Sequence, residues 1–352
     1  MHQDVTAATT TTTTENIPDF PTLPWRLASS AVMGAMGLIC KAYLFGLNRV
    51  TVTGLEHLTD KLDGRRERGL LTISNHVSVI DDPIIWGVLP IRHLFNPSVM
   101  RWSLGAHDIC FQTPTSSTFF ALGQVIPTHR FRYSPHGGVS QPSMTHALRM
   151  LSSSSAAATF AAHPLSVAAS SSAAPTYTTD GTDSHRSPSF FRSRRNVWLH
   201  IFPEGCITQS PMNVMRYFKW GVARFVLEAQ PPPDVVPMFI NGTQDIMPED
   251  RQPRWLPKCG VDVRIAFGAP LDTAAEFGDL IAEWRRLEDR FRAGKLSGDL
   301  HSSKEAEQLR MATVERMWEA VDRVKVAQGY PATPREQRLA STFAGEVRDN
   351  TL

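Results

Sequence analysis

Apolar positions along the chain fall into short continuous runs and longer stretches with helical spacing. Residues 70–74, 125–127, 197–202 and 235–240 are short apolar runs bounded by turn-forming residues, and 261–267 alternates with period two; these five predict strands. Helical patterns lie between them at 83–88, 117–122, 141–151 and 215–228. Beyond Pro270 the pattern is helical, with Leu280, Trp284, Leu287 and Phe291 on one stripe and Val314, Met317, Val321 and Val324 on another. This order predicts a single α/β domain at 51–275, with a mostly parallel sheet flanked by helices, then C-terminal helices at 276–330. A polar tail follows at 331–352, and residues 1–22 form a Thr-rich leader expected to be disordered.

Two stretches break the alternation. Residues 152–193 are dominated by Ser, Ala, Thr and Pro without hydrophobic period, which predicts a disordered insert. The run 27–40, between Arg26 and Lys41, would reach about 21 Å as a helix at ~1.5 Å per residue. That is short of the roughly 30 Å hydrocarbon core. It is open to three readings: a helix lying in the membrane interface, a core helix, or a span that includes Lys41. Trp25 and Tyr43, near its two ends, favour the interface. Residues 23–50 are therefore expected to associate with membrane, through Trp25, Leu27, Met33, Met36, Leu38 and Ile39. The stretch 215–229 has a similar look, with Phe218, Val222, Phe225, Val226 and Ala229 on one helical face and Arg216 and Lys219 on another; packing on the sheet fits it equally well.

Composition narrows the class of function. A chain of 352 residues with 42% hydrophobic and 20% charged residues has a globular core, which excludes a disordered, collagenous or polytopic membrane protein. A net charge of +2 gives no reason to expect a nucleic-acid partner. Cys40, Cys110, Cys206 and Cys259 are scattered without a CxxC, so no zinc module or disulfide framework is indicated.

Candidate chemistry gathers at strand ends. After the strand at 70–74 comes Asn75-His76-Val77-Ser78-Val79-Ile80-Asp81-Asp82-Pro83. Pro83 suits a first helical position and Asp82 an N-cap, which leaves His76 and Asp81 in the connecting loop. On one helix they would diverge by about 140°. In a loop, Asp81 can fix the His76 tautomer so that the other ring nitrogen acts as a base. The bland alternative is a capped helix beside a bystander histidine. Phe202-Pro203-Glu204-Gly205 ends another strand in a sharp turn that presents a carboxylate. Gly123-Gln124-Val125-Ile126-Pro127-Thr128-His129-Arg130 delivers Arg130, a phosphate fork. The strand at 235–240 runs into Asn241-Gly242. All four loops follow strand carboxyl ends, where open α/β sheets place ligands.

Taken in order, His-x4-Asp, Gly-x3-Pro-x2-Arg, Phe-Pro-Glu-Gly and a later Val-Pro resemble the four motifs of the glycerolipid acyltransferase superfamily. The doubled Asp81-Asp82-Pro83, 106–111 (AHDICF), 198–205 (WLHIFPEG) and 216–221 (RYFKWG) resemble its tafazzin branch in fungal form, over about 24–272. The resemblance implies a CoA-independent phospholipid–lysophospholipid transacylase that remodels cardiolipin on mitochondrial membranes facing the intermembrane space. It makes His76 the base and Asp81 its orienting partner. Asn75, Arg130, Phe202, Pro203, Glu204 and Gly205 become substrate-binding, with phospholipid and lysophospholipid as substrates and neither metal nor cofactor required. Many CoA-dependent relatives have Thr-Arg after the third motif; here Cys206-Ile207-Thr208 follows, which weakens a CoA-dependent reading. The competing functions are a CoA-dependent lysophosphatidic acid acyltransferase, a serine hydrolase using Ser78, for which no G-x-S-x-G elbow exists, and a non-catalytic lipid-binding protein.

Overall fold

The computed structural model describes residues 18–153, 175–210, 213–296 and 299–343. From the N-terminus run α1 (Leu23–Leu47), β1 (Arg49–Thr53), α2 (Glu56–Asp63), β2 (Leu70–Ser74), α3 (Asp81–Val88) and α4 (Ile91–Leu94). Next come β3 (Trp102–Ala106), α5 (His107–Cys110), α6 (Pro114–Leu122), β4 (Val125–Thr128) and α7 (Pro142–Leu151). A hairpin of β5 (Thr176–Tyr177) and β6 (His185–Arg186) precedes β7 (Trp198–Ile201), α8 (Arg224–Leu227), β8 (Asp234–Asn241) and α9 (Thr243–Ile246). The chain then forms β9 (Asp262–Phe267), α10 (Thr273–Arg292) and α11 (Lys304–Ala327).

Seven strands make one sheet in the order β1-β9-β8-β2-β7-β3-β4, parallel throughout except where β8 meets β9. The expected fold class holds. All five residues of β2 are buried, as a strand covered on both faces requires. Leu71 and Ile73 of β2 and Leu199 and Ile201 of β7 pack with α7, α8, α10 and α11. Leu70, Trp198, Met238 and Ile240 point the other way, toward α1, α2 and α3. Sequence patterning missed β1 and β3. The first is an edge strand alternating Val and Thr, and the second carries Ser and Gly, so neither reads as an apolar run.

Four expectations need correction. Residues 154–174 of the expected insert lie outside the described residues, but 175–193 is built, not disordered. Tyr177 and Phe191 are buried, and Asp183 accepts hydrogen bonds from Thr178 Oγ1 and the Thr179 backbone N–H. Two buried aromatic side chains and a hydrogen-bonded carboxylate offset the ordering entropy that bulk composition suggested was too large. No continuous helix runs over 215–228: this stretch is irregular to Lys219, then forms a 3-10 turn at Trp220–Ala223 and the short α8. Phe218, Val222, Phe225, Val226 and Ala229 are all core, so this is not an interfacial face. The expected leader and tail lie mostly outside the described residues. Where described, the Asp19 carbonyl accepts from the Ser193 N–H, and Thr333 is buried against Lys325 and Asp322.

The fourth correction concerns α1, the single helix among the described residues long and apolar enough to cross a membrane. It lies along the domain. Ser29, Met33, Gly34, Gly37 and Leu44 are buried; Ser29 Oγ donates to the Leu122 carbonyl and Ser30 Oγ to that of Phe95. A Cβ on Gly87 of α3 would fall 2.9 Å from the Cys40 carbonyl carbon, so glycine permits this close crossing. Met33 therefore faces protein, not membrane; Met36 is half-buried against the same core, and Trp25 lies half-buried under the Arg186 guanidinium. Leu27, Leu38 and Ile39, with Leu23, Phe45 and Leu47, are exposed.

Candidate active site

The loop between β2 and α3 is folded around one carboxylate. Asp81 is fully buried in the first turn of α3. Its Oδ2 accepts from the backbone N–H groups of Val77 (2.7 Å) and Ser78 (2.8 Å) and lies 2.9 Å from His76 Nδ1. Its Oδ1 accepts from Thr243 Oγ1 at 2.5 Å. An acceptor-only carboxylate forces Nδ1 to carry the proton, which leaves Nε2 as the basic nitrogen. Among the described residues Nε2 has no hydrogen-bond partner, and the His76 side chain is 21% exposed.

Asp82 is therefore not the N-cap and Asp81 is not in the loop: α3 begins at Asp81, after Ile80, without a side-chain cap. Asp82 instead takes both ends of the buried Arg101 guanidinium, with Nε at 2.5 Å, while Arg101 also stacks over Trp86 at 4.4 Å. Sequence alone gave no sign of Arg101, or of Thr243 beyond its place in the loop after β8.

The third motif meets His76 from β7. The Phe202 ring stacks on the imidazole, centroids 4.2 Å apart and planes at 22°, which fixes the ring from its face as Asp81 does from its edge. Glu204, expected to face substrate, is buried. Its Oε1 accepts from the His76 backbone N–H and its Oε2 from that of Arg216, both at 2.9 Å. Glu204 is a brace between the histidine loop and the 213–219 segment, and has no free edge for a ligand. Burial pushes its pKa up from 4.5 to about 7, against the pull of the Arg216 and His76 N–H groups. The buried Pro203 accepts from the Lys219 N–H through its carbonyl, and Gly205 makes the turn at φ +65°. The His76 carbonyl accepts from the Thr208 N–H at 2.8 Å.

Asn75 is likewise structural. Its side-chain N–H donates to the Ile240 carbonyl and its oxygen accepts from the Ile240 N–H, both at 2.8 Å, so its amide joins β2 to β8 and is spent there. Arg130 does not join the His76 cluster. It follows β4, three strand positions from β2, or about 14 Å at ~4.8 Å per strand. There it pairs with Asp108 through Nε and Nη2 and stacks on Tyr133 at 4.2 Å.

A second buried histidine, His200, does not compete for the proton. Trp198 Nε1 donates to Thr72 Oγ1, whose own O–H is then free to donate to His200 Nδ1 at 2.7 Å. Burial holds the His200 pKa well below its ordinary value. Ser78 Oγ is buried and unpartnered among the described residues, so it has no base to activate it as a nucleophile. The arrangement offers one oriented, partly exposed imidazole nitrogen able to accept a proton.

Residues 49–241 match the sequence model of the family described as Acyltransferase. The chain is 36% identical over 304 residues to Tafazzin of Saccharomyces cerevisiae, covering 81% of this chain and 74% of that one. It is 32% identical over 246 residues to Taffazin of Dictyostelium discoideum, covering 68% of each. Tafazzin of Drosophila melanogaster is 29% identical over 254 residues, covering 72% of this chain and 53% of the relative.

Proposed function

Because the chain belongs to the tafazzin family of glycerolipid acyltransferases, we propose that it moves acyl chains between phospholipids and lysophospholipids without CoA, remodelling cardiolipin. Monolysocardiolipin is the acceptor and phosphatidylcholine, or a similar phospholipid, the donor. The observation that carries the chemistry is the His76–Asp81 pair at 2.9 Å with Nε2 left open.

Nε2 takes the proton of the lysolipid hydroxyl as its oxygen attacks the donor ester carbonyl. The buried Asp81 carboxylate stabilises the imidazolium that results. Collapse of the tetrahedral intermediate breaks the donor's ester C–O bond, and the departing alkoxide takes the proton back from Nε2. One ester and one hydroxyl enter, and one of each leaves, so the transfer runs in both directions. Arg130 receives the lipid phosphate, exchanging Asp108 for a second anion that fits its fork. Glu204, Asn75 and Phe202 position the base rather than touch substrate.

The exposed apolar side chains of α1 rest on the mitochondrial membrane surface facing the intermembrane space, on the outer leaflet of the inner membrane and the inner leaflet of the outer. The docking of Ser29, Met33, Gly34, Gly37 and Leu44 on the domain supports interfacial contact over a span. Wild-type protein should float with cardiolipin-containing vesicles, and the Leu27→Glu/Ile39→Glu variant should stay in the aqueous phase. Equal flotation of both would remove α1 from the membrane contact.

The function is tested with purified protein in vesicles of phosphatidylcholine and monolysocardiolipin, with no CoA present. Cardiolipin and lysophosphatidylcholine should appear in equal amounts. Transfer that starts only when acyl-CoA is added would instead make this a CoA-dependent acyltransferase of the lysophosphatidic acid type. No transfer under either condition would leave a lipid-binding protein.

A further inference from the structure

Parallel register brings two histidines together at the far end of the sheet. Ala106 of β3 pairs with Thr128 of β4, so the next residues, His107 and His129, leave the sheet side by side, and their rings stack 4.4 Å apart at 22°. The segment 175–193 lays two carboxylates, Asp180 and Asp183, against this pair. One donor atom from each of the four residues lies within 4.8 Å of all the others.

From this juxtaposition we propose that His107, His129, Asp180 and Asp183 form a binding site for a zinc-class divalent metal, which clips the 175–193 segment to the sheet edge. The mixed nitrogen and oxygen donors suit Zn2+ rather than Mg2+ or Ca2+, which take oxygen ligands. A tetrahedral zinc site with ~2.0–2.1 Å bonds spaces its donors at roughly 3.4 Å, so no pair here must close by more than about 1.4 Å.

The surroundings orient the donors as the outer shell of a metal site does. Thr178 Oγ1 and the Thr179 N–H donate to Asp183 Oδ1, and the Asp183 and Thr182 N–H groups donate to Asp180 Oδ1. His129 Nε2 lies 2.7 Å from Thr179 Oγ1, and His185 Nε2 lies 2.7 Å from Asp183 Oδ2. Among the described residues, the basic groups within 4.0 Å of Asp183 are the imidazoles of His107 and His185. A divalent cation held between the two imidazoles and the two carboxylates would set its positive charge directly against Asp180 and Asp183. The residues next in sequence to the two histidines, Asp108 and Arg130, form the ion pair described above, so the metal would steady both loops at once. The clip is structural and takes no part in the proton transfer at His76.

Full-length protein stripped with a chelator and desalted is titrated with Zn2+ against a chromophoric competitor, and separately with Co2+. One Zn2+ should bind per chain and raise Tm. Bound Co2+ should give the visible bands of a tetrahedral site without the near-ultraviolet thiolate band. His107→Ala/His129→Ala should weaken binding at least ~100-fold, whereas Cys259→Ser, at an exposed free thiol, should leave it unchanged. The Co2+ spectrum of the wild type stands even where the double variant fails to fold. Absence of stoichiometric binding, a thiolate signature, or undiminished affinity in a folded double variant would each overturn the site.

Discussion

His76→Ala should lower CoA-free transfer from phosphatidylcholine to monolysocardiolipin by ~10²–10⁴-fold or more, with little change in Tm. General-base catalysis is worth that much, and no other described side chain is placed to replace Nε2. Stability should hold because the loop is held by Asp81 through the Val77 and Ser78 N–H groups and by Glu204 through the backbone N–H of residue 76, none of which needs the imidazole. Transfer at more than about a tenth of the wild-type rate would sink the base assignment. Asp81→Asn in the same assay separates orientation from charge. The amide oxygen can keep the Oδ2 position, because two backbone N–H groups demand an acceptor there, while its NH2 can donate to Thr243 Oγ1. The histidine tautomer then survives and the negative charge is lost. At an effective dielectric near 20, a unit charge about 4 Å from the imidazolium is worth roughly 4 kcal/mol, so a loss of roughly 10²–10³-fold is expected. A loss as deep as that of His76→Ala would mean that the tautomer was lost as well.

Glu204→Gln should cost both stability and activity, and should remove a pH dependence. Each carboxylate oxygen accepts one backbone N–H; in glutamine, one of these donors must face an NH2 instead. An unsatisfied buried N–H costs about 1–3 kcal/mol. If the His76 backbone is the one released, a displacement of about 1 Å at the base is enough for ~10²-fold in rate. The pH effect follows from a folded pKa of about 7 against an ordinary 4.5. Between these values the folded protein holds a proton that the unfolded chain has given up. The group's contribution is therefore complete below about pH 4.5 and is lost as pH rises through about 7, on the order of 3 kcal/mol in all. Chemical denaturation of wild type and variant between pH 5 and 8 checks this as a slope present in the first and absent from the second. Parallel curves would refute the brace as a titrating group.

Much of the fold was legible because its central strands are covered on both faces. Strands β2, β7 and β8 are buried at nearly every position and so are mostly apolar, and such runs stand out in any sequence. The edge strand β1, solvated along alternate positions, gave no such run. Helix periodicity identified α10 and α11 through Trp284, Leu287, Met317 and Val321, although Phe291, at the end of its stripe, is exposed. Periodicity misled at 215–228, where apolar residues at helical spacing are buried one by one from an irregular chain. Composition misled at 175–193, because burial of Tyr177 and Phe191 depends on surfaces supplied by other segments.

By itself the sequence determined the α/β class, the four strand-end motifs and the His76–Asp81 pair. Those depend on local order: a strand that ends, a loop of fixed length and a helix that begins. Tertiary structure alone decided which motif residues are free to meet a substrate. Asn75 is consumed by Ile240, Glu204 by the backbones at 76 and 216, and Met33 by the core beneath α1. Most buried polar groups must find a partner, and the partners here lie tens to hundreds of residues away. A residue's motif places it at the sheet edge, but the other donors and acceptors brought to that edge decide whether it binds a ligand or holds the protein together.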